Sequence, residues 1–405
     1  MSRLLPFLVL AVLAAAFYLG WPRDTTTNVG SAAEPVTATV DSSEPERVVE
    51  RLPTDDPRPG AAALAARRAW LDKNERALEL LRLEEFTEAV ALLEECVEAA
   101  PDEPILRRNL AEALVRWAFH LHDVERRYDD AIEFLERAIE LAPEREDIET
   151  LRRILDRWKR ERAVEEGFWT DDSPYFELVY DAQRDDLRDG VQEVLNELHA
   201  AYGDLRDWFV VDPVIELGRP RFRVVLYDAK GFDELTGLGH WAGGVFDGVL
   251  RLRVDDLERR RGWKSTARHE LVHAFVREVG GRDVPSWLNE GLAQALDGDR
   301  ARLDPKRLRH PEILWKQRLA DGLVLFTLEE LHASLATWTD PTEISAGYAQ
   351  SLLLTGAILE NHGEHSVRLI LKRTREGQDF ATAFQGATGV DSRFLLEDLE
   401  ARLVR

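Results

Sequence analysis

The sequence contains a single cysteine, Cys96, among 405 residues. One thiol cannot form an internal disulfide, and it cannot supply a cysteine-rich metal cluster. Basic residues are also outnumbered: 53 lysines and arginines stand against 76 aspartates and glutamates, which gives a net charge of -23. Because phosphate binding needs a basic surface, nucleic acid is excluded from the expected partners. Cys96 lies in the apolar helical pattern AVALLEECVEAA, so we predict a buried small hydrophobic residue there.

An uncharged run, LLPFLVLAVLAAAFYLGW, follows Arg3. Its length suffices for one helix across a bilayer core, and it ends in Tyr18 and Trp21, residue types that favour the membrane interface. We therefore predict a signal anchor over residues 1–22, with the rest of the chain outside the cytoplasm, an orientation that Arg3 supports. The alternative is a secretory signal peptide cleaved near Ala14–Ala16, which would release the chain.

Residues 23–60 are rich in Thr, Ser, Pro, Asp and Glu and show no apolar periodicity. Such a composition cannot bury enough apolar surface to fold by itself. We predict a disordered linker between the membrane and the folded part of the chain.

Residues 61–166 have a helical pattern that contains an internal repeat. The segment EEFTEAVALLEECVEAAPDEP aligns with RRYDDAIEFLERAIELAPERE, so that Phe86 and Tyr128, Ala89 and Ala131, and Pro101 and Pro143 are each offset by 42 residues. This pattern resembles the second helix of a tetratricopeptide repeat, whose usual period is 34. The resemblance implies a short helical array that binds a protein partner, and a generic helical bundle is the alternative.

The pattern changes near Phe168. Three strand-like runs, YFELVYD, RFRVVLYD and GVLRLRV, are interrupted by a helical pattern from Asp185 to about Phe209. From Trp263 to Arg405 the chain is again mostly helical. This order predicts an α+β domain over residues 168–405, with a small sheet and a mostly helical C-terminal half.

The segment RHELVHAFVREVGGRDVPSWLNEGLAQAL contains the chemistry-bearing motif. We expect a helix capped by Ser265 and stopped at Gly280–Gly281, on which His269 and His273 leave the same face, as two ligands of one tetrahedral ion require. Glu270 is turned away from the ligand position and can serve as a general base. A second helix, capped by Ser286, would bring Glu290 as the third ligand.

The HELVH and WLNEGLA segments resemble those of gluzincin zinc metallopeptidases, and WLNEG is similar to the aminopeptidase N branch. Together with an anchor and tetratricopeptide-like helices, they are most similar to bacterial peptidase MA-like proteins. The resemblance covers residues 170–405 as an arrangement and is motif-specific from His240 to Asp297 and near Tyr348. It implies a thermolysin-like zincin domain with Zn²⁺ on His269, His273 and Glu290, Glu270 as the activator of water, and a peptide or protein substrate.

Two further features bear on this expectation. Relatives can use a tyrosine downstream of the third ligand to stabilise the oxyanion, and Tyr348 is the candidate here; packing on the amphipathic helix that follows it is the alternative. Residues 240–254 are expected to form an edge strand beside the metal helix, where an extended peptide could add by strand pairing. Gly243 and Gly244 would allow close approach of its backbone.

The sequence also departs from the family pattern. Where aminopeptidases carry a glutamate for the substrate's amine, the only acid is Asp247, so the resemblance leaves endo- and exopeptidase action both open. Gln294 stands where several relatives have an acid that orients a ligand histidine. Five other histidines lack ligand spacing and are predicted to be surface or core residues: His240, His310, His332, His362 and His365.

Two other functions fit the same residues. The chain could be a membrane-anchored interaction scaffold whose zincin-like domain is inactive, with the repeats as the working surface. It could also be another zinc hydrolase, such as an amidase acting on cell-envelope peptide, because the ligands alone do not fix the substrate. The intact set of base and ligand positions favours the peptidase.

Overall fold

The structure is a computed structural model that describes residues 61–236, 243–253, 262–333, 335 and 338–405. The predicted anchor (1–22) and linker (23–60) lie outside the described residues. No helix within the described ranges is long and apolar enough to cross a membrane. The chain divides into two compact units, with the boundary between Glu166 and Gly167.

The first unit is entirely helical across its described residues. Two pairs of helices are followed by a fifth helix. A π-helical turn, Leu121–Glu125, extends the third of these five helices. This turn continues the intervening helix beyond the length usual for the repeat. The five helices are α1 (Ala61–Arg82), α2 (Phe86–Ala99), α3 (Pro104–His120), α4 (Tyr128–Leu141) and α5 (Ile148–Val164).

The backbone conformation repeats with the same 42-residue offset as the sequence. Helices α2 and α4 each contain fourteen residues and begin at the equivalent aromatic positions. Glu84 and Arg126, in the turns before them, both adopt φ of 61°. The caps Ala100 and Ala142 donate their N–H groups to carbonyls four residues back. Ala89 and Ala131 are fully buried, as is Cys96, whose Sγ lies 3.3 Å from the Trp70 carbonyl. The prediction that Cys96 is a buried core residue is confirmed.

The second unit has eight helices and a small mixed sheet among its described residues. The sheet order is β1-β2-β3-β5-β4; β2, β3 and β5 run parallel, and β1 and β4 pair antiparallel to their neighbours. The strands are β1 (Trp169–Asp172), β2 (Phe176–Tyr180), β3 (Phe222–Tyr227), β4 (Gly244–Phe246) and β5 (Leu250–Arg253). The helices are α6 (Asp185–Phe209), α7 (Ala229–Thr236), α8 (Trp263–Gly280), α9 (Ser286–Leu296), α10 (Arg309–Ala320), α11 (Pro341–Arg375), α12 (Phe380–Thr388) and α13 (Phe394–Val404).

The core of this unit lies between the sheet and the helices α6, α8, α9 and α11. All six residues of β3 are buried, as expected for a central strand whose neighbours and faces are covered. The crossover from β2 to the parallel strand β3 is made by α6. Helix α8 packs against β4, β5, α6, α9 and α11, so it lies at the centre of the unit.

Two sequence-based expectations about strands are wrong in detail. Residues 243–253 do not form one edge strand: a turn at Asp247–Gly248 folds them into a hairpin, in which β5 is internal and the three-residue β4 is the edge. Gly248 has φ of +111°, a conformation that favours glycine. The remaining residues of the predicted strand, 240–242 and 254, lie outside the described ranges. Strand β1 was not expected, because WTDD has no apolar alternation.

Both predicted serine caps are also wrong. Helix α8 begins at Trp263, two residues before Ser265, after Gly262 in a left-handed conformation. Helix α9 begins at Ser286 itself. The N–H groups of Ser286 and Trp287 donate to the carbonyls of His332 and Leu331, so a loop supplies the acceptors that a serine side chain would have given. The predicted stop at Gly280–Gly281 is confirmed, since Gly281 closes α8 with φ of +80°.

Candidate metal centre

Helix α8 carries His269 and His273 on one face. The two positions are one turn apart, so their imidazoles lie side by side, with ring centroids 4.8 Å apart and planes nearly perpendicular at 85°. The opposite faces of the helix are buried in the core through Leu271, Val272 and Phe275. Burial on those faces fixes which way the histidines point.

Helix α9 brings Glu290 to the same place. After Gly281 only four residues intervene before α9 begins, so the two helices contact each other directly. Gly291 permits α9 to lie against α11 on its other side: a Cβ at this position would lie 2.0 Å from Oγ1 of Thr355 and 2.4 Å from the Ser351 carbonyl oxygen. The close contact with α11 therefore sets the position of Glu290.

The three side chains converge on one point. Oε2 of Glu290 lies 3.6 Å from Nε2 of His269 and 3.6 Å from Nε2 of His273, and one donor atom from each residue lies within 4.8 Å of the others. Zinc bonds of about 2.0–2.2 Å to nitrogen and carboxylate oxygen place neighbouring donors roughly 3.3 Å apart in a tetrahedral site. Two imidazoles and one carboxylate at this spacing fit a zinc ion.

The other ring nitrogens of the histidines face hydrogen-bonding groups. Nδ1 of His273 lies 2.9 Å from Oδ1 of Asn289, and Nδ1 of His269 lies 3.9 Å from Oδ2 of Asp297. Asp297 is itself paired with Arg307. An acceptor at Nδ1 holds the proton there and leaves Nε2 free to bind a metal. Sequence analysis did not assign roles to Asn289 and Asp297, although both lie on α9 or at its end.

Glu270 lies beside this group but points to the sheet. The side chain is buried, and the backbone N–H of Phe246 on β4 favours its charged form. A Cβ at Gly244 would lie 3.1 Å from Cγ of Glu270 and 2.8 Å from Cγ2 of Thr266, so the glycine allows β4 to approach α8 closely. Burial raises the pKa of Glu270, an effect that the neighbouring histidines oppose.

The charges at this site are strongly coupled. Burial opposes protonation of His269, but the carboxylates of Asp297 and Glu290 outweigh it and raise the His269 pKa to about 10. Burial would raise the pKa of Glu290, yet the charge of His273 and a hydrogen bond with His269 lower it overall. The carboxylates therefore favour positive charge between them, which is the electrostatic condition for a cation site.

Tyr348 lies in the second turn of α11 and is partly buried against the core. The charge of Glu290, followed by burial and the charge of Glu270, raises the pKa of the Tyr348 phenol well above its usual range. The phenol is therefore protonated at neutral pH and lies within the electrostatic reach of both carboxylates. Gln294 connects the two helices by donating to the carbonyls of Glu290 and Tyr348, at 3.2 Å and 3.1 Å.

The remaining residues singled out in the sequence lie elsewhere or have other partners. Asp247 pairs with the buried Arg251 at 3.1 Å and accepts from the Val249 N–H, so it stabilises the hairpin turn. His310, His332 and His365 are exposed and His362 is half-buried, none of them in the group that converges on Glu290; His240 lies outside the described residues.

Comparison with known proteins identifies part of the first unit. The family model of the tetratricopeptide repeat matches residues 74–103 and 120–145. These two stretches contain α2 and α4 with the ends of the helices before them, so the chain carries tetratricopeptide repeats, which indicate a role in protein–protein interaction. No curated protein was found to match the chain.

Proposed function

We propose that this chain is a zinc-dependent metallopeptidase that hydrolyses peptide bonds, tethered to a membrane and equipped with tetratricopeptide repeats for a protein partner. The observation that carries the proposal is the convergence of His269, His273 and Glu290, with Glu270 beside them. The resemblance of HELVH and WLNEG to gluzincins supports the same reading. His269, His273 and Glu290 would hold the zinc, which when bound supplies a Lewis acid that polarises the scissile carbonyl and acidifies water.

Glu270 is assigned as the general base. Its carboxylate is buried, and the Phe246 N–H favours its charged form. It takes a proton from the attacking water and delivers it to the leaving amine. A raised pKa suits this exchange, because a base whose pKa approaches the working pH can both accept and return a proton.

Tyr348 is assigned to the oxyanion that develops on the substrate carbonyl. Its raised pKa keeps the phenol protonated, so it can donate a hydrogen bond. A donor of this kind contributes more in the transition state than in the ground state, because charge accumulates on the oxygen only as the water attacks. Asn289 holds the His273 imidazole in the orientation that presents Nε2, and the carboxylate of Asp297 lies 3.9 Å from Nδ1 of His269.

The substrate would lie along β4. Among the described strands it is the edge of the sheet, with β5 as its neighbour, and its Phe246 N–H favours the charged form of Glu270. An extended peptide can add to such an edge through backbone hydrogen bonds, which recognise the chain without demanding one sequence. Because Gly244 has no side chain, this edge of the sheet lies close to Glu270.

The location of the protein belongs to the proposal as well. The uncharged run after Arg3 supports a single-pass anchor with the metal-binding unit outside the cytoplasm, or a secreted protein if the run is removed. The repeats would then bring a partner, or a protein substrate, to the membrane surface.

A second function is favoured by one observation, the match of the repeats to a protein-interaction family. In this alternative the chain is a membrane-anchored scaffold with an inactive zincin-like domain. The two functions differ in a simple property: a scaffold needs neither Glu270 nor turnover.

The decisive experiment measures zinc and cleavage together on the full-length protein. We expect one zinc per chain by elemental analysis, its loss in His273→Ala, and its retention in His365→Ala, an exposed histidine on α11 that serves as the control. Cleavage of a peptide library should depend on zinc and fall about 100-fold or more in Glu270→Gln, which keeps the metal. Full cleavage by Glu270→Gln would reject Glu270 as the base, and absence of cleavage by zinc-loaded protein would favour the scaffold.

A further inference from the structure

Arg277 lies on the same face of α8 as the general base. It follows His273 by four residues and Glu270 by seven, so it lies almost directly in line with Glu270, two helical turns further along. At 1.5 Å per residue this separation is about 10 Å along the helix axis.

The guanidinium of Arg277 meets the far end of the β4 hairpin. Its Cζ lies 5.8 Å from the centroid of the Phe246 ring, and a Cβ added at Gly248 would lie 3.0 Å from its Nη1. The hairpin therefore runs along α8 from Thr266 and Glu270, which contact Gly244, to Arg277, which contacts the turn. A peptide paired with β4 would follow the same path from the base to Arg277.

Arg277 has no carboxylate partner in the part of the chain that the structure describes. Two nearby acids are engaged with other residues: Asp247, which precedes Gly248, pairs with Arg251 at 3.1 Å, and Glu278, which follows Arg277, pairs with Arg219 at 3.0 Å. The Arg277 side chain is only partly exposed, and its described contact is the Phe246 ring. A half-buried guanidinium without an anion is costly unless something else supplies one, and arginine binds carboxylates through two parallel hydrogen bonds.

We propose that Arg277 is a specificity-determining residue that binds a carboxylate of the peptide substrate. An extended peptide advances about 3.3 Å per residue, so the carboxylate lies about three residues from the bond that Glu270 helps to cleave. The inference rests on the proposed peptidase function for its substrate, but the binding site itself depends only on α8 and β4.

Two parts of a peptide carry a carboxylate, and the site would bind either. An acidic side chain would make the enzyme an endopeptidase that prefers Asp or Glu at one position. A C-terminal carboxylate would direct cleavage to a fixed distance from the end of the chain.

The test uses full-length protein and a peptide series in which one Asp is moved from one to five residues on either side of the cleaved bond. Each peptide has a matched Asn peptide, and each is made with a free and an amidated C-terminus. The wild type should give a kcat/KM ratio of Asp to Asn peptide of about tenfold or more at one or two adjacent positions, as a charge-assisted pair provides. If amidation, rather than Asp→Asn, removes the advantage, the carboxylate is the chain end.

Arg277→Gln should bring the Asp-to-Asn ratio of kcat/KM close to one. Arg277→Glu should lower it below one and should prefer a peptide with Lys at the same position. A higher kcat/KM on the Lys peptide would show that the Arg277→Glu variant is folded. A purely structural role for Arg277 would not produce such a gain. Arg282→Gln, an exposed arginine just beyond α8, should keep the wild-type ratio. A ratio near one across the series, or one that Arg277→Gln leaves unchanged, would overturn the inference.

Binding separates this inference from the proposed function. The same peptides, labelled with a fluorophore, are titrated against Glu270→Gln with and without Arg277→Gln, and anisotropy reports affinity without turnover. If the wild type cleaves nothing but the carboxylate peptides bind in an Arg277-dependent way, the peptidase proposal fails and the anion site stands. If cleavage occurs and neither rate nor affinity depends on a carboxylate, the peptidase stands and the anion site fails.

Discussion

Nδ1 of His273 lies 2.9 Å from Oδ1 of Asn289, the residue immediately before the third candidate ligand. One short stretch of α9 thus supplies both a ligand to the candidate site and the acceptor that orients a histidine from the neighbouring helix. The pair shows how α8 and α9, which carry the three candidate ligands, are aligned although Gln294 offers no carboxylate.

Replacing Asn289 with Ala should weaken zinc binding about 10- to 100-fold while leaving all three ligands in place. The imidazole of His273 would lose the acceptor that fixes its proton on Nδ1, so metal binding would have to reorder the ring. Competition with a fluorescent chelator measures the change. Asn196→Ala, on α6, is the control, and equal zinc affinity in Asn289→Ala and the wild type would contradict the role given to Asn289.

Tyr348→Phe should lower kcat about 100-fold with little change in zinc content or KM. The variant removes only the hydroxyl, so packing of the ring on α11 is preserved. Steady-state kinetics on one peptide substrate, together with elemental analysis, separates the effects. Tyr175→Phe provides a matched loss of a hydroxyl in the same unit. A Tyr348→Phe enzyme with normal kcat would leave the tyrosine a packing residue of the helix, the alternative from the sequence.

Gly291→Ala should destabilise the second unit by about 1–3 kcal/mol and weaken zinc binding as well. The added methyl group would meet Thr355 and the backbone of α11, so α9 has to move and carry Glu290 with it. Chemical denaturation of the metal-free protein and a zinc titration measure the two effects. Gly298→Ala, where an added Cβ meets nothing within 4 Å, should change neither. If Gly291→Ala were destabilised but bound zinc with unchanged affinity, the contact between α9 and α11 would not set the position of Glu290.

Asp147→Asn should destabilise the helical unit at neutral pH by less than about 1 kcal/mol, because half of the Asp147 side chain is exposed and screening weakens the pair. Arg145 donates two hydrogen bonds to Asp147, each 2.8 Å long, and these lower the pKa of the carboxyl. A carboxyl with a lowered pKa in the folded state contributes its stability above its unfolded pKa of about 3.9 and loses it as the pH falls through the folded value.

The difference between Asp147→Asn and the wild type should therefore disappear in acid below both values. Hydrogen exchange of amides in α3 to α5 of the full-length protein, at neutral and acidic pH, measures this stability difference within the helical unit. Asp102→Asn, an exposed acid in the equivalent turn of the first repeat, is the comparison. A difference between Asp147→Asn and wild type that persisted in acid would assign the effect to the amide rather than to the lost charge.

The sequence predicts those parts of the candidate site that follow from helical periodicity. A spacing of four residues is enough to place His269 and His273 side by side, and the glycine pair Gly280–Gly281 indicates where α8 ends. The apolar strands β2 and β3 are likewise visible in their composition, and the 42-residue offset identifies the repeats before any coordinates.

Features that depend on tertiary contacts could not be predicted in this way. Strand β4 has only three residues and exists because Gly244 lets it approach Glu270 closely. The polar strand β1 is held in the sheet by its backbone pairing with β2. The start of α9 is satisfied by carbonyls from a loop more than forty residues later in the chain, and the contact of Asp297 with His269 depends on how α9 meets α8. None of these contacts leaves a periodic trace in the sequence.

Gln294 has a consequence that reaches beyond its own two hydrogen bonds. Its amide group donates to the backbone carbonyls of Glu290 and Tyr348, so the positions of the third candidate ligand and of the tyrosine are linked. In the proposed mechanism, a movement of α11 would therefore affect both metal binding by Glu290 and the hydrogen bond from Tyr348 to the oxyanion. A partner that moved α11 would then change affinity for the ion and turnover in the same direction.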